Sequence, residues 1–540
     1  MAIDISELPD IIQRRTISFY AVLLFLVAPL WCAVPLAWAF VIYTLHTGKI
    51  WSYSLFGLTF FAIALSEVIF SVYHFHLTRR LSVPSDNGHG SIPEIQIAFK
   101  RILKAGLANL PSNGYDEETL DEERPGSPEE DIVQLEQDDH RAIDFRNTLR
   151  TWFGRRPWST VRLHEVRQWI YWSIFNKDLP ELGQIPQTHR VVLDDTIELL
   201  QKRLGKRIPE GSDISCRPIL LNIDKAVVFW RPFTFYAFTA LANLCLDRWY
   251  QRSHGFSRGN YDGLEFLVRI PKNWKPLRDP RPVVFLHGLG LGLFQYHNFL
   301  SHLVQEFRDR PLLVVLQPHI SQQIFHPKYL APMPRKQTTK TLATLLASFD
   351  WTDFEPNTNA NTSEEEGTHA SVTQSRRRSG VTMLSHSNGS YCHAWMLKDY
   401  PHMVTRSCFV DPVTFCGWEG DVCRNFLYKT CYTGTELLVR YFVGTELGVV
   451  NLLQKNFDWS SNSLWYEEIP NARDPSKALF LLGDKDSIIS PSRVKLYLRS
   501  HGVRKGLWCD PNGRHGQALL AGGEGCKVVY EWLKELEYQI

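Results

Sequence analysis

Between Thr16 and Gly48 the chain carries no Asp, Glu, Lys or Arg. A bilayer span needs about 20 consecutive apolar residues, and this stretch exceeds that. Its apolar part is longer than the core of a secretory leader, and no clear cleavage site follows. It therefore reads as a retained segment. After Lys49 a second apolar run extends from Ile50 to about Leu77, interrupted by Glu67. Together the two runs predict a membrane hairpin within residues 1–80. Arg14-Arg15 before it and Arg79-Arg80 after it outweigh the single Lys49 between them. By the bias of basic residues toward the cytosol, both ends face that side. The alternative is one span followed by an amphipathic or buried segment, because Glu67, His74 and His76 are costly in lipid. Glu67 reads first as a helix–helix or interfacial contact and only second as a functional group.

A chain of 540 residues leaves room for more than one domain. The net charge of +2 argues against a bulk nucleic-acid binder. The ten cysteines show no C-x-x-C and no zinc spacing, so they read as buried or free thiols. Residues 81–260 form a helical region with an acidic, Pro-containing stretch at 116–139, read as a solvated loop. Helical patterns run from about Asp138 to Trp152, His164 to Asn176 and Val191 to Leu204. Ala226 to Leu246 is apolar and aromatic but contains Arg231 and Pro232, which fits a buried or membrane-surface helix better than a third span.

The chemistry lies in the last 280 residues or so, in four places. Val381-Thr382-Met383-Leu384 is a short apolar run, Ser385-His386-Ser387-Asn388-Gly389 a turn, and Tyr391 to Leu397 a helix-like run. Strand, sharp turn and helix with a serine at the apex is what a nucleophile elbow requires. Gly389 supplies the small residue the turn needs; Ser385 stands where glycine is usual. Earlier, Val283-Val284-Phe285-Leu286 runs into His287-Gly288-Leu289-Gly290-Leu291-Gly292, a glycine-rich turn able to aim an N–H at an oxyanion. Those glycines do not fit a dinucleotide or phosphate-loop fingerprint. Later, Ala478 to Leu482 is a buried-type strand ending in Gly483-Asp484-Lys485-Asp486. Last, Gly506 to Asp510 leads into Asn512-Gly513-Arg514-His515-Gly516.

From roughly Gly263 to Ile540 the chain resembles the α/β-hydrolase superfamily. His287-Gly288, the Ser385–Gly389 turn, Gly483 to Asp486 and His515 carry the resemblance, in the order serine, acid, histidine that this fold imposes. The implied fold is α/β: a mostly parallel sheet flanked by helices, in a domain at 261–540 with a polar insert at 355–380 and a lid at 413–470. The implied activity is that of a serine hydrolase of carboxylesterase or lipase type. A serine hydroxyl needs an imidazole base, and the imidazole needs a carboxylate. Ser387 is assigned as nucleophile, His515 as base and Asp486 as orienting acid, with the N–H groups of Asn388 and Leu289 as oxyanion hole. Asp484 and Asp411 remain alternative acids, and His501 an alternative base. His386 is expected to point elsewhere from the elbow, and His287 to be structural. No metal or cofactor is called for.

The lid carries Phe415, Trp418, Phe426, Tyr428, Tyr441, Phe442, Phe457, Trp459 and Trp465. They would either line an apolar pocket or form the lid's own core. The expected substrate is a lipid or other hydrophobic ester, and the expected setting an endomembrane such as the endoplasmic reticulum, with the catalytic domain cytosolic. Two rivals stand beside this reading. One is an acyltransferase, whose H-x-x-x-x-D pattern occurs at His189–Asp194 outside the hydrolase region. The other is a non-catalytic membrane scaffold. Arg376-Arg377-Arg378-Ser379 in the insert reads as surface before it reads as a kinase site.

Overall fold

The structure is a computed structural model describing residues 4–11, 13–81, 91–105, 132–276, 278–353 and 380–535. Most of the acidic stretch at 116–139 and all but the last residue of the insert at 355–380, with Arg376 to Ser379, lie outside the described residues.

Eight strands form one sheet: β1 (Ser257–Tyr261), β2 (Leu264–Arg269), β3 (Val283–Leu286), β4 (Leu312–Leu316), β5 (Val381–His386), β6 (Val404–Val410), β7 (Ala478–Gly483) and β8 (Leu507–Asp510). The spatial order is β1-β2-β4-β3-β5-β6-β7-β8. β2 runs antiparallel to both its neighbours, and every pair from β4 to β8 is parallel. That order and those directions define the α/β-hydrolase fold. β3, β5 and β7 are buried at every position, as expected of parallel strands covered on both faces. Leu286 pairs with Ser385, His386 with Val410, and Val410 with Leu481. The turns after β3, β5, β6, β7 and β8 therefore emerge along one edge of the sheet. In open parallel sheets that carboxyl edge is where ligands bind.

Both N-terminal runs are helical, Ile17–His46 and Leu55–Arg80, and each is long and apolar enough to cross a membrane. Ala37 and Val41 of the first pack on Phe61, Ala64 and Val68 of the second. Lower down, Phe70, Leu77 and Leu81 join a cluster with Tyr236, Ile324, Tyr329 and Leu447, which seats the hairpin's base on the hydrolase domain. Glu67 is buried and accepts hydrogen bonds from Phe233 N (2.6 Å), Thr234 N (3.0 Å) and Thr234 Oγ1 (3.0 Å). It caps the start of the helix Phe233–His254, satisfying N–H groups that have no acceptor within their own helix.

That helix begins and ends later than the pattern at Ala226–Leu246 predicts. Proline cannot donate within a helix and restricts the residue before it, so Pro232 is the earliest cap and Gly255, at φ 68°, the stop. It exposes Phe238, Leu241 and Leu244. In the middle region the expected helices are found at His140–Leu149, Leu163–Phe175 and Gln187–Leu204, joined by an unanticipated one at Ile92–Lys104. Their core includes Cys416, Trp418, Trp459 and Trp465 from the 413–470 segment, so middle region and lid share one apolar interior.

Candidate active site

The elbow is built from two opposing demands. β5 delivers the chain to His386, and a helix starts at Gly389. To turn that sharply, Ser387 adopts φ 50°, a left-handed conformation that costs a non-glycine residue roughly 1–3 kcal/mol. Its N–H donates to Val410 O at 3.0 Å. A Cβ on Gly389 would sit 2.1 Å from the backbone oxygen of Leu286, so only glycine fits there. Ser385, in place of the usual glycine, is fully buried and shares a 2.9 Å hydrogen bond with His393 Nδ1.

At the apex the Ser387 hydroxyl meets His515 Nε2 at 2.7 Å, and His515 Nδ1 meets Asp486 Oδ2 at 2.6 Å. Asp486 Oδ1 accepts the N–H groups of Ile488 (2.7 Å) and Ile489 (3.3 Å), so the backbone fixes that carboxylate. Asp484 is exposed and paired with Lys495 at 3.0 Å. Asp411 follows β6 at φ 41° and accepts Gly483 N (3.0 Å) and Gly516 N (2.7 Å). It holds the backbone beside His515, while Asp486 holds the ring. Oxygens of both acids lie within 4.8 Å of a His515 nitrogen.

This convergence sets the electrostatics. Burial works to lower the His515 pKa, but the charge and hydrogen bond of Asp486, with Asp411 adding, lift it to about 9. Asp411 itself is pushed up to about 6, chiefly by burial; Asp486 adds to the rise, while His515 and the two N–H groups oppose it.

The other histidines divide. His287 is buried, with Nδ1 2.9 Å from Gly288 O and Nε2 accepting Gln317 N at 3.2 Å; burial lowers it to about 4, and it braces the glycine turn as expected. His501 stacks on Tyr466 at a helix end, with Nδ1 2.8 Å from Tyr497 O. His386 departs from expectation. Its ring lies 5.3 Å from that of His515, and it lines the same cavity as Ser387. The reason is Tyr296: its hydroxyl accepts Gly288 N–H at 2.9 Å and so has its proton free for His386 Nδ1 at 2.6 Å. That bond turns the ring toward His515, and no sequence signal links Tyr296 to His386. Burial holds His386 well below its ordinary pKa, and hence neutral.

Leu289 and Asn388 both line the cavity beside Ser387. Neither backbone N–H is engaged in a hydrogen bond among the described residues, in contrast to those of Gly288 and Gly290. The cavity measures about 820 Å³, within the range of roughly 300–1,000 Å³ usual for small-molecule sites. Its walls include Val413, Val422, Phe426, Val439, Val443 and Leu453. Of the nine lid aromatics only Phe426 lines it. Trp418 and Trp465 stack 4.4 Å apart in the shared core, and Tyr441 is buried against Trp230. The acyltransferase-like pattern is not part of the site: His189 stacks on Phe175 at 3.8 Å, and Asp194 is exposed. All ten cysteines are free.

No protein-family model and no curated protein matches the chain. Solved structures similar to part of it include the Pyrococcus furiosus esterase Pf2001, at 13% identity and TM-score 0.31, over 53% of this chain and 95% of that one. A membrane phospholipase A, a bacterial virulence factor, is 14% identical with TM-score 0.31, over 56% of this chain and 92% of that one. The Bacillus subtilis carboxylesterase CesB is 10% identical with TM-score 0.31, over 54% and 99%. These likenesses are low, and the fold rests on the strand order itself.

Proposed function

We propose that the protein is a membrane-anchored serine hydrolase that cleaves a lipophilic carboxylic ester through an acyl-enzyme. In this reading Ser387 Oγ attacks the ester carbonyl while His515 Nε2 takes its proton. Asp486 fixes His515 with its proton on Nδ1 and stabilises the imidazolium that forms. The N–H groups of Leu289 and Asn388 receive the oxyanion. His515 returns the proton to the leaving alkoxide. Water, deprotonated by the same nitrogen, then attacks the acyl-Ser387 carbonyl and releases the acid.

The observation that carries the reading is the unbroken hydrogen-bond chain from Ser387 through His515 to Asp486, at 2.7 and 2.6 Å, on the wall of an apolar cavity. The hairpin supports the membrane setting, and the paired arginines flanking it support a cytosolic catalytic domain on an endomembrane. The test is labelling with a fluorophosphonate in detergent-solubilised membranes. The wild type is expected to label and Ser387→Ala, equally well folded by thermal melt, is not. Undiminished labelling of the Ala variant would remove Ser387 from the mechanism.

A further inference from the structure

The cavity beside Ser387 is bordered on one side by a residue from the far end of the chain. Ser18, in the first turn of the N-terminal apolar helix, lines it together with Thr433, Thr435, Val439 and Val443 of the lid. The seam between helix and lid is close and specific. Thr16 N donates to Tyr432 O at 2.9 Å, and Gly434 N donates to Ser18 Oγ at 3.1 Å. A Cβ on Gly434 would lie 2.6 Å from Ser18 O and 2.9 Å from the Val22 side chain, so the lid meets the helix backbone to backbone. The lid side is itself braced: Glu436 accepts Tyr432 N (2.8 Å) and Thr433 N (3.0 Å).

Ser18 is exposed as well as cavity-lining, so it stands at a mouth. Leu520 lines the same cavity and is 61% exposed. Ser18 stands at a boundary: Arg14, Arg15 and Thr16 are exposed before it, and the apolar Ile17, Leu24 and Phe25 of the helix are exposed beside and beyond it. A helix that enters a bilayer carries lipid against that surface. The cavity that holds Ser387 is thus lined by apolar lid residues, Val439 and Val443, and by the polar Thr433, Thr435 and Glu436, and it reaches the apolar helix at Ser18.

We propose that the cavity takes the long unbranched acyl chain of a bilayer-resident ester, which enters at the mouth beside Ser18 and lies within the cavity along Val439 and Val443, with the close-packed contact between helix and lid as its wall. The membrane helix is then a wall of the substrate site as well as an anchor. The proposal rests on the serine-hydrolase reading and adds the substrate's chain and its route.

It is tested with the full-length protein in phosphatidylcholine vesicles and a fluorophosphonate whose long alkyl chain ends in a diazirine. On reaction the Ser387 oxygen bonds to phosphorus, fluoride leaves, and the hydroxyl proton passes to His515. Irradiation then records where the chain end lies. Cross-links within residues 16–27 or 433–443 are expected. The long-chain probe in vesicles should also label at least tenfold faster than an ethyl fluorophosphonate at equal total concentration. Cross-links confined to 485–490 and 514–520, or equal labelling rates, would overturn the route while leaving Ser387 as nucleophile. Labelling by neither probe would instead overturn the hydrolase reading, and the route with it.

Discussion

Replacing Asp486 by asparagine tests the site most sharply, because the surrounding hydrogen bonds dictate how asparagine must sit. Asp486 Oδ1 accepts the N–H groups of Ile488 and Ile489, so only the amide oxygen can occupy that side. The amide NH2 is left facing His515 Nδ1, 2.6 Å away in the native protein. A donor there forces Nδ1 to accept and moves the ring proton to Nε2, where it points at Ser387. The imidazole can then no longer take the serine proton. In a triad that change costs about 10⁴-fold in turnover while leaving the geometry intact. The variant should therefore melt like the wild type yet lose about that factor in kcat/KM on a chromogenic ester. The pH profile gives a second readout. In the proposed role His515 accepts a proton only when neutral, so activity should rise with pH through its pKa, and the acid limb should lie above the ordinary histidine value of 6.5, toward 9. Asp486→Asn removes the main group raising that pKa, so the residual activity should show its acid limb at lower pH. If Asp411→Asn proved the crippling change and Asp486→Asn cost less than tenfold, the assignment of the orienting acid would be refuted.

Other consequences can be checked separately. Asp411→Asn sets an NH2 against the Gly483 or Gly516 N–H, so it should destabilise by roughly 1–3 kcal/mol in a thermal melt. It should also lower the acid limb, because Asp411 helps to raise His515. Ser385→Gly, which restores the usual elbow residue, should destabilise rather than improve the protein, because it strips buried His393 Nδ1 of its 2.9 Å partner; a melting point at or above wild type would contradict this. Glu67→Leu leaves two helix N–H groups without an acceptor, and a loss of roughly 2–5 kcal/mol is expected from unfolding in detergent. For orientation, the sequon at Asn361-Thr362-Ser363 should stay unglycosylated in microsomes, and sensitivity to an endoglycosidase would put the catalytic domain in the lumen.

The parts of the site that could be read from sequence are those whose signal is local. Ser387 sits between a strand pattern and a helix pattern, and Asp486 and His515 each follow a buried-type strand. Chain order then did the rest. What could not be read depends on contacts between distant segments. Ser18 reaches the cavity only because Gly434 permits close approach. His386 turns toward His515 because Tyr296, ninety positions earlier, bonds both it and Gly288. The lid aromatics gave no sign that most of them pack into a core shared with residues 92–204, since an aromatic side chain suits a pocket and an interior equally well. The helix at Phe233 starts several residues after its apolar composition begins, because that composition extends across Pro232 while helical hydrogen bonding cannot.

Glu67 also bears on the order of biogenesis. Its three partners belong to Phe233 and Thr234, 166 and 167 residues downstream. Until residues 233 and 234 have been made, this carboxylate lacks the partners it holds in the folded protein, and a buried polar group without partners costs roughly 1–3 kcal/mol. The packing of the hairpin against the helix Phe233–His254 is thus completed only by residues made long after the hairpin itself. The contact ties the two ends of a 166-residue span, so the second helix and the helix at Phe233 reach their native packing together.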